Sequence, residues 1–163
     1  MKRAIAELLR RDLGKKLVLL TGPRQSGKTW LSTNLNLTTD YLNYDDSDHR
    51  RIITEKAWDR RAELVVLDEL HKMPGWTSFA KGVYDVEGMS PPLLITGSAR
   101  LDLARRTGES MAGRFFRYRL HPFDVKEVAS QVAPDEALER VLTVGGFPEP
   151  FLDGTAEYYK RWR

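Results

Sequence analysis

The sequence predicts an α/β protein built on a parallel sheet, and three observations carry that prediction. Short apolar runs recur along the chain with helical patterns between them, a glycine-rich turn follows directly on the first run, and a later run ends in two adjacent carboxylates. Strand signals that alternate with helix signals imply crossover connections, which place helices on both faces of a parallel sheet. Strands are expected near residues 17–21, 40–44, 64–68, 93–97 and 115–120, and helices near 2–12, 28–35, 47–61, 76–87, 100–106 and 134–144.

The first helix carries Ile5, Leu8, Leu9 and Leu13 as an apolar stripe at helical spacing. Opposite the stripe lie Lys2, Arg3, Arg10, Arg11, Lys15 and Lys16, which read as a solvated charged face. The first strand, Leu17-Val18-Leu19-Leu20-Thr21, delivers the turn Gly22-Pro23-Arg24-Gln25-Ser26-Gly27-Lys28-Thr29. This is the complete G-x-x-x-x-G-K-[ST] spacing of a phosphate-binding loop, or Walker A element, and it indicates a P-loop nucleotide-binding fold. The turn must wrap a phosphate closely enough for backbone N–H groups to point inward, and glycine allows that approach. Gly22, Pro23, Arg24, Gln25, Ser26, Gly27, Lys28, Thr29 and the adjoining Trp30 are therefore the expected nucleotide contacts, with Lys28 on the β- and γ-phosphates and the Thr29 hydroxyl on Mg²⁺. Trp30 also shares with Trp58, Trp76, Phe115 and Phe116 the simpler reading of a core or core-edge aromatic.

After the second strand, Asp45 and Asp46 read as an acidic turn and helix cap, with Asp48 equivalent in that role. The third strand, Leu64-Val65-Val66-Leu67, ends in Asp68 and Glu69 and looks like a Walker B segment. Asp68 would hold Mg²⁺, and Glu69 would accept a proton from the water that attacks the γ-phosphate. His71 and His121 both read as structural turn histidines, with a relay of nucleotide state as the lesser alternative for His71, which lies beside Glu69. Gly88-Met89-Ser90-Pro91-Pro92 is a loop, because two prolines cannot sit in a central ladder. The fourth strand, Leu93-Leu94-Ile95-Thr96-Gly97, leads to Ser98, the candidate to touch the γ-phosphate or orient the water, with Thr96 behind it. Arg114, just before the last strand, is the candidate to neutralise transition-state charge on a neighbouring subunit's nucleotide. It belongs to a second basic group with Arg100, Arg105, Arg106, Arg117 and Arg119.

With 163 residues, 41% hydrophobic and 30% charged, the chain is sized for one core rather than two. No window approaches the roughly 18 uninterrupted apolar residues of a membrane span. Charge at Lys2, Arg3 and Glu7 stands where a signal peptide would need its apolar segment, so the expected compartment is cytoplasmic. The absence of cysteine excludes disulfides, zinc–thiolate sites and a cysteine nucleophile, and leaves Mg²⁺ with oxygen ligands as the expected metal chemistry. A net charge of +3 does not by itself indicate a nucleic-acid partner.

In order, Gly22-Pro23-Arg24-Gln25, Tyr41-Leu42-Asn43-Tyr44-Asp45-Asp46, Leu67-Asp68-Glu69-Leu70-His71-Lys72-Met73-Pro74-Gly75-Trp76, Ile95-Thr96-Gly97-Ser98, Ala112-Gly113-Arg114, Leu120-His121-Pro122-Phe123 and Gly145-Gly146-Phe147-Pro148-Glu149 span nearly the whole chain. This series resembles a group of uncharacterised prokaryotic AAA-type ATPases. The resemblance implies a three-layer P-loop NTPase fold with a five-stranded sheet in the order 5-1-4-3-2, Walker A at Gly22 to Thr29, Walker B at Asp68 and Glu69, and the first sensor at Ser98. It also implies an ATPase core over 1–125 and a small helical segment over 126–163, the start of a lid or C-terminal region. Members of the group are typically more than twice this length, with a C-terminal domain that looks distantly nuclease-like. Against that pattern the chain reads as shortened, without a second arginine sensor. Tyr158, Tyr159, Trp162 and Arg163 would then form an edge for a second copy or a partner protein.

A GTPase would add an Asn-Lys-x-Asp segment late in the sheet, and none is present, so ATP is the expected nucleotide. The functional expectation is Mg²⁺-dependent ATP hydrolysis by Lys28, Glu69, Ser98 and Arg114. The alternatives are a nucleotide-binding switch with little turnover and a small-molecule kinase with Arg100, Arg105 and Arg106 as its lid.

Overall fold

A computed structural model describes residues 3–98, 113–129 and 131–163. The helix expected over 100–106, with Arg100, Arg105 and Arg106, lies outside the described residues. Five parallel strands form one sheet: β1 (Leu17–Thr21), β2 (Thr39–Asn43), β3 (Leu64–Asp68), β4 (Leu93–Gly97) and β5 (Phe115–Arg119), in the order β2-β3-β4-β1-β5. Read from the other edge this is 5-1-4-3-2, as the family resemblance implies.

Burial follows position in the sheet. Every residue of β1, β3 and β4 is buried, which matches their unbroken apolar runs, because central parallel strands are covered on both faces. The edge strands β2 and β5 carry polar side chains and are mostly half-buried, which discourages edge-to-edge pairing. Alternate residues feed opposite layers. Leu17, Leu19, Val65, Leu67, Leu93 and Ile95 pack with Ile53 of α3 (Ser47–Glu55) and with Ala80 and Val83 of α4 (Trp76–Glu87). Val18, Leu20, Val66 and Leu94 pack with Leu9 of α1 (Ala6–Asp12) and Leu31 of α2 (Lys28–Thr33). Each aliphatic side chain so buried contributes about 1.5–3 kcal/mol.

Three helices are shorter than periodicity predicts, among them α2, which ends at Thr33 rather than near residue 35. The first begins at Ala6 rather than residue 2. Helix α3 stops at Glu55 because Lys56 turns left-handed, with φ 56°, and Ala57 N–H closes onto Ile52 O at 2.8 Å.

Beyond β5 the chain forms α5 (Val125–Val128), α6 (Pro134–Val144), α7 (Pro148–Asp153) and α8 (Ala156–Trp162). Phe123, Val128, Ala137 and Phe151 make a separate small core beneath them. Trp162 packs on Phe147 with ring centroids 5.1 Å apart and donates from Nε1 to Glu149 Oε2 at 3.1 Å, so the terminal aromatics fold back onto the Gly-Gly-Phe-Pro-Glu segment.

Gly146 fixes how this region seats. Phe123 N–H donates to Gly146 O at 2.6 Å, and a Cβ on Gly146 would lie 2.1 Å from the Phe123 carbonyl oxygen. Both sides of that contact are backbone, so neither gives way easily. Gly146→Ala is expected to cost about 1–3 kcal/mol, read by circular dichroism as a fall in Tm of about 2–4 °C per kcal/mol. An alanine variant melting with the parent would show that this contact does not form.

Candidate nucleotide-binding site

The carboxyl ends of β1, β3 and β4 converge, and the phosphate loop, Asp68 and Ser98 leave the sheet there, the position where open parallel α/β sheets bind ligands. The loop from Gly22 bends through two left-handed residues, Gln25 at φ 61° and Gly27 at φ 90°, before α2 begins at Lys28. Such alternation turns successive peptide N–H groups toward one concavity. Gly22 is required by closeness: a Cβ there would lie 2.4 Å from the Leu120 carbonyl oxygen. Ser26 is buried and ties the turn, its Oγ donating to Pro23 O at 2.9 Å, while Arg24 and Gln25 are exposed at the lip.

Lys28 is 8% exposed, and its Nζ donates to Gly22 O at 3.1 Å and Pro23 O at 2.7 Å. Burial pushes its pKa down, opposed by the charges of Asp68 and Glu69. The ammonium is thus held in the curve of the loop, close to the carboxylates of the strand motif.

Asp68 is the best-supported side chain of the site. Its Oδ2 accepts from Thr29 Oγ1 at 3.2 Å and from Tyr41 Oη at 2.5 Å, and its Oδ1 accepts from Thr96 Oγ1 and from Glu69 N–H at 3.0 Å. Four donors from four segments fix a carboxylate that is 5% exposed. Burial first, and then the bond to Asp68, push the Tyr41 pKa up, so its hydroxyl stays a donor at neutral pH.

Glu69 takes a left-handed backbone, φ 56°, at the head of the 3-10 turn Leu70–Lys72, a conformation that costs a non-glycine residue energy. Its Oε2 lies 3.4 Å from Lys72 Nζ and 3.6 Å from His71 Nε2. Lys72 also pairs with Asp45 at 2.5 Å, whereas Asp46 caps α3 by accepting from Asp48 and His49 N–H, which lowers its pKa. His121 enters through its backbone carbonyl, not its imidazole.

Ser98, half-buried, follows Gly97, which pairs with Thr21 immediately before the loop. Arg114 is not brought to the loop of its own chain. It precedes β5, at the amino-end edge of the parallel sheet, and its Nε donates to Asp85 Oδ1 at 2.8 Å. A five-residue strand, about 16 Å long, lies between that edge and the site. Trp30 is 47% exposed, not core. It lines a cleft of about 310 Å³ with Gly27, Phe123, Pro148 and Leu152.

Two residues are not singled out by the sequence reading. Tyr41 enters it only within the resemblance, and Arg3 is counted there among solvated charges. Arg3 is instead 4% exposed, and its Nη1 donates to Ser26 O at 2.9 Å.

A sequence model of the family described as "AAA domain" matches residues 14–129, more than half of the chain. The uncharacterized protein Rv2008c of Mycobacterium tuberculosis and the uncharacterized protein Mb2031c of Mycobacterium bovis are each 32% identical over 167 residues, a match covering 99% of this chain and 37% of each relative. The chain thus spans well under half the length of those relatives. Among solved structures, AMPPCP-bound DnaA from Aquifex aeolicus superposes with a TM-score of 0.53 at 13% identity, covering 96% of this chain and 59% of that one. A single-substitution variant of RuvB from Thermotoga maritima gives 0.53 at 19% identity, covering 97% and 57%. A STAND protein with a tetratricopeptide repeat sensor, PH0952 from Pyrococcus horikoshii, gives 0.56 at 15%, covering 88% and 27%. At these identities the likeness is one of fold.

Proposed function

Because this chain belongs to the AAA domain family, we propose that it binds ATP with Mg²⁺ through the Gly22–Thr29 loop and hydrolyses it. The observation that carries this reading is the meeting of loop and strand, where Thr29 Oγ1 lies 3.2 Å from Asp68 Oδ2 beside the buried Lys28. The donor set suits the ion. Mg²⁺ prefers oxygen ligands and usually keeps several waters, with one or two carboxylates and substrate phosphates completing its shell. Thr29 Oγ1 and Asp68 supply two such oxygens, and the nucleotide's phosphates with water would supply the rest. Thr29 and Asp68 would hold Mg²⁺, which when bound neutralises phosphate charge.

Lys28 would exchange the Gly22 and Pro23 carbonyls for β- and γ-phosphate oxygens. The apolar cleft of Trp30, Phe123, Pro148 and Leu152, adjoining Gly27, suits a purine ring. Glu69 takes a proton from a water whose oxygen bonds to the γ-phosphorus, as the bond to the bridging oxygen breaks and ADP leaves with the electron pair. Ser98, beside the loop, contacts the γ-phosphate. Arg114, at the far edge, would reach a nucleotide only on a neighbouring copy, which makes homo-oligomer formation part of its assignment.

The contacts of Glu69 favour a second reading, a nucleotide-binding switch with slow turnover. A carboxylate engaged by Lys72 and His71 must break those contacts before it reaches water. Steady phosphate release from the parent supports the ATPase, and binding without release supports the switch.

Tyr41 is the test of the metal side. Outer-shell partners of a ligating carboxylate affect metal affinity by about 10–100-fold. Tyr41→Phe, which removes only the hydroxyl, should raise the Mg²⁺ concentration for half-maximal ATP-dependent stabilisation by about 10-fold. An unchanged Mg²⁺ titration would mean that Tyr41 does not orient Asp68.

A further inference from the structure

We propose that Arg3 is a positioning residue that ties the phosphate loop to helices α5–α8, so that nucleotide binding and the docking of those helices depend on each other. The proposal rests on the nucleotide-binding reading above.

A buried guanidinium is tolerated only when its donors are matched, and Arg3 matches them across three segments. Nη1 donates to Ser26 O at 2.9 Å, Nη2 to His121 O at 2.6 Å and Nε to Glu127 Oε1 at 2.9 Å, while the guanidinium carbon lies 4.6 Å over the Phe123 ring. The loop side of this clamp follows from the backbone. Ser26 stands between left-handed Gln25 and Gly27, and the first helical bond of α2 is accepted by Gly27 O from Leu31 N–H. The Ser26 carbonyl falls before that ladder, and Arg3 satisfies it. The peptide that Arg3 holds is therefore one of those that shape the phosphate concavity.

On its other side Arg3 grips the start of the C-terminal helices. Glu127 belongs to α5 and also accepts from Ala4 N–H at 2.8 Å. Phe123 meets Phe151 of α7 edge-on at 5.5 Å and bonds through its N–H to Gly146. One rigid fork thus spans the loop and the small core under α5–α7. A lysine would supply the charge but not three donors in fixed directions. A nucleotide that fixes the Ser26 peptide also fixes Arg3 and, through it, Glu127 and Phe123, and the linkage runs equally in reverse.

The test combines titration calorimetry of Mg·ADP with hydrogen exchange over α6 and α8, residues 134–144 and 156–162, leaving out α7, whose Pro148 and Leu152 would touch the base directly; it is run with and without nucleotide on the parent, Arg3→Gln, Arg3→Lys and Glu127→Gln. In the parent, nucleotide should slow exchange over 134–144 and 156–162. Both Arg3 variants should bind about 10-fold more weakly, inside the usual 5–150-fold range of coupling, and lose that slowing. Glu127→Gln keeps the Ser26 contact, so it should retain most of the affinity yet lose the slowing.

A folded Arg3→Lys protein with parental affinity and parental nucleotide-dependent exchange overturns the proposal. If the Arg3 variants do not fold, parental exchange behaviour in Glu127→Gln overturns it instead. A parent that binds nucleotide without slowing exchange over 134–144 and 156–162 refutes the coupling and leaves the nucleotide reading intact, whereas a parent that binds none overturns both.

Discussion

Lys28→Ala should abolish tight ATP binding while leaving the fold in place. Lys28 is the single ammonium held inside the curve of the loop among the described residues, bonded to the Gly22 and Pro23 carbonyls. Hydrogen bonds to charged groups are each worth about 1.5–3 kcal/mol, so losing contacts to two phosphates weakens binding by about 100-fold or more. Leu31 and Ser32 still anchor α2 in the core, so the backbone of the loop has no reason to collapse. With Mg·ATP at about 100 times the parent's Kd, the parent gains about 2.7 kcal/mol of stability. A thermal-shift comparison should show that gain in the parent and almost none in the variant. An equal shift in both would remove Lys28 from the site.

Glu69→Gln should separate binding from turnover. The bonds on the metal side of the site belong to Thr29 and to the carboxylate of Asp68, so ATP affinity should stay within a few-fold of the parent. The amide keeps the shape of the carboxylate but cannot take a proton, and loss of a general base lowers rates by about 10²–10⁴-fold. Single-turnover phosphate release from the saturated protein is the measurement. Hydrolysis at the parent rate would exclude Glu69 as the base. The variant also releases Lys72 and His71 from their shared carboxylate, so a parent that already turns over slowly would leave little rate to lose, the behaviour expected of the switch.

The central strands were legible because each opens on a run of three or four apolar residues closed by Thr21, Asp68 or Thr96-Gly97, and burial on both faces demands that pattern. The loop was legible because its spacing is a property of consecutive residues. Tyr41 was not, since its contact with Asp68 is a diagonal across the β2–β3 pair, where the register sets Tyr41 opposite Val66. Arg3 was hidden more deeply. Its partners Ser26, His121 and Glu127 stand 23, 118 and 124 positions away, and local charge pattern carries no trace of them.

The place of Arg114 follows from chain order alone, because a residue preceding a parallel strand lies at the edge remote from loops that follow strands. The end of α3 was missed because Lys56, not a glycine, takes the left-handed cap.

The Gly22–Thr29 loop and Asp68 together form the proposed Mg·ATP site. Titration calorimetry of ATP into the 163-residue chain, with Mg²⁺ and then with excess EDTA, tests it most directly. Saturable binding is expected at one site per chain, weakening strongly when the metal is removed. Absence of saturable binding with Mg²⁺ present, in a protein shown to be folded, would contradict it.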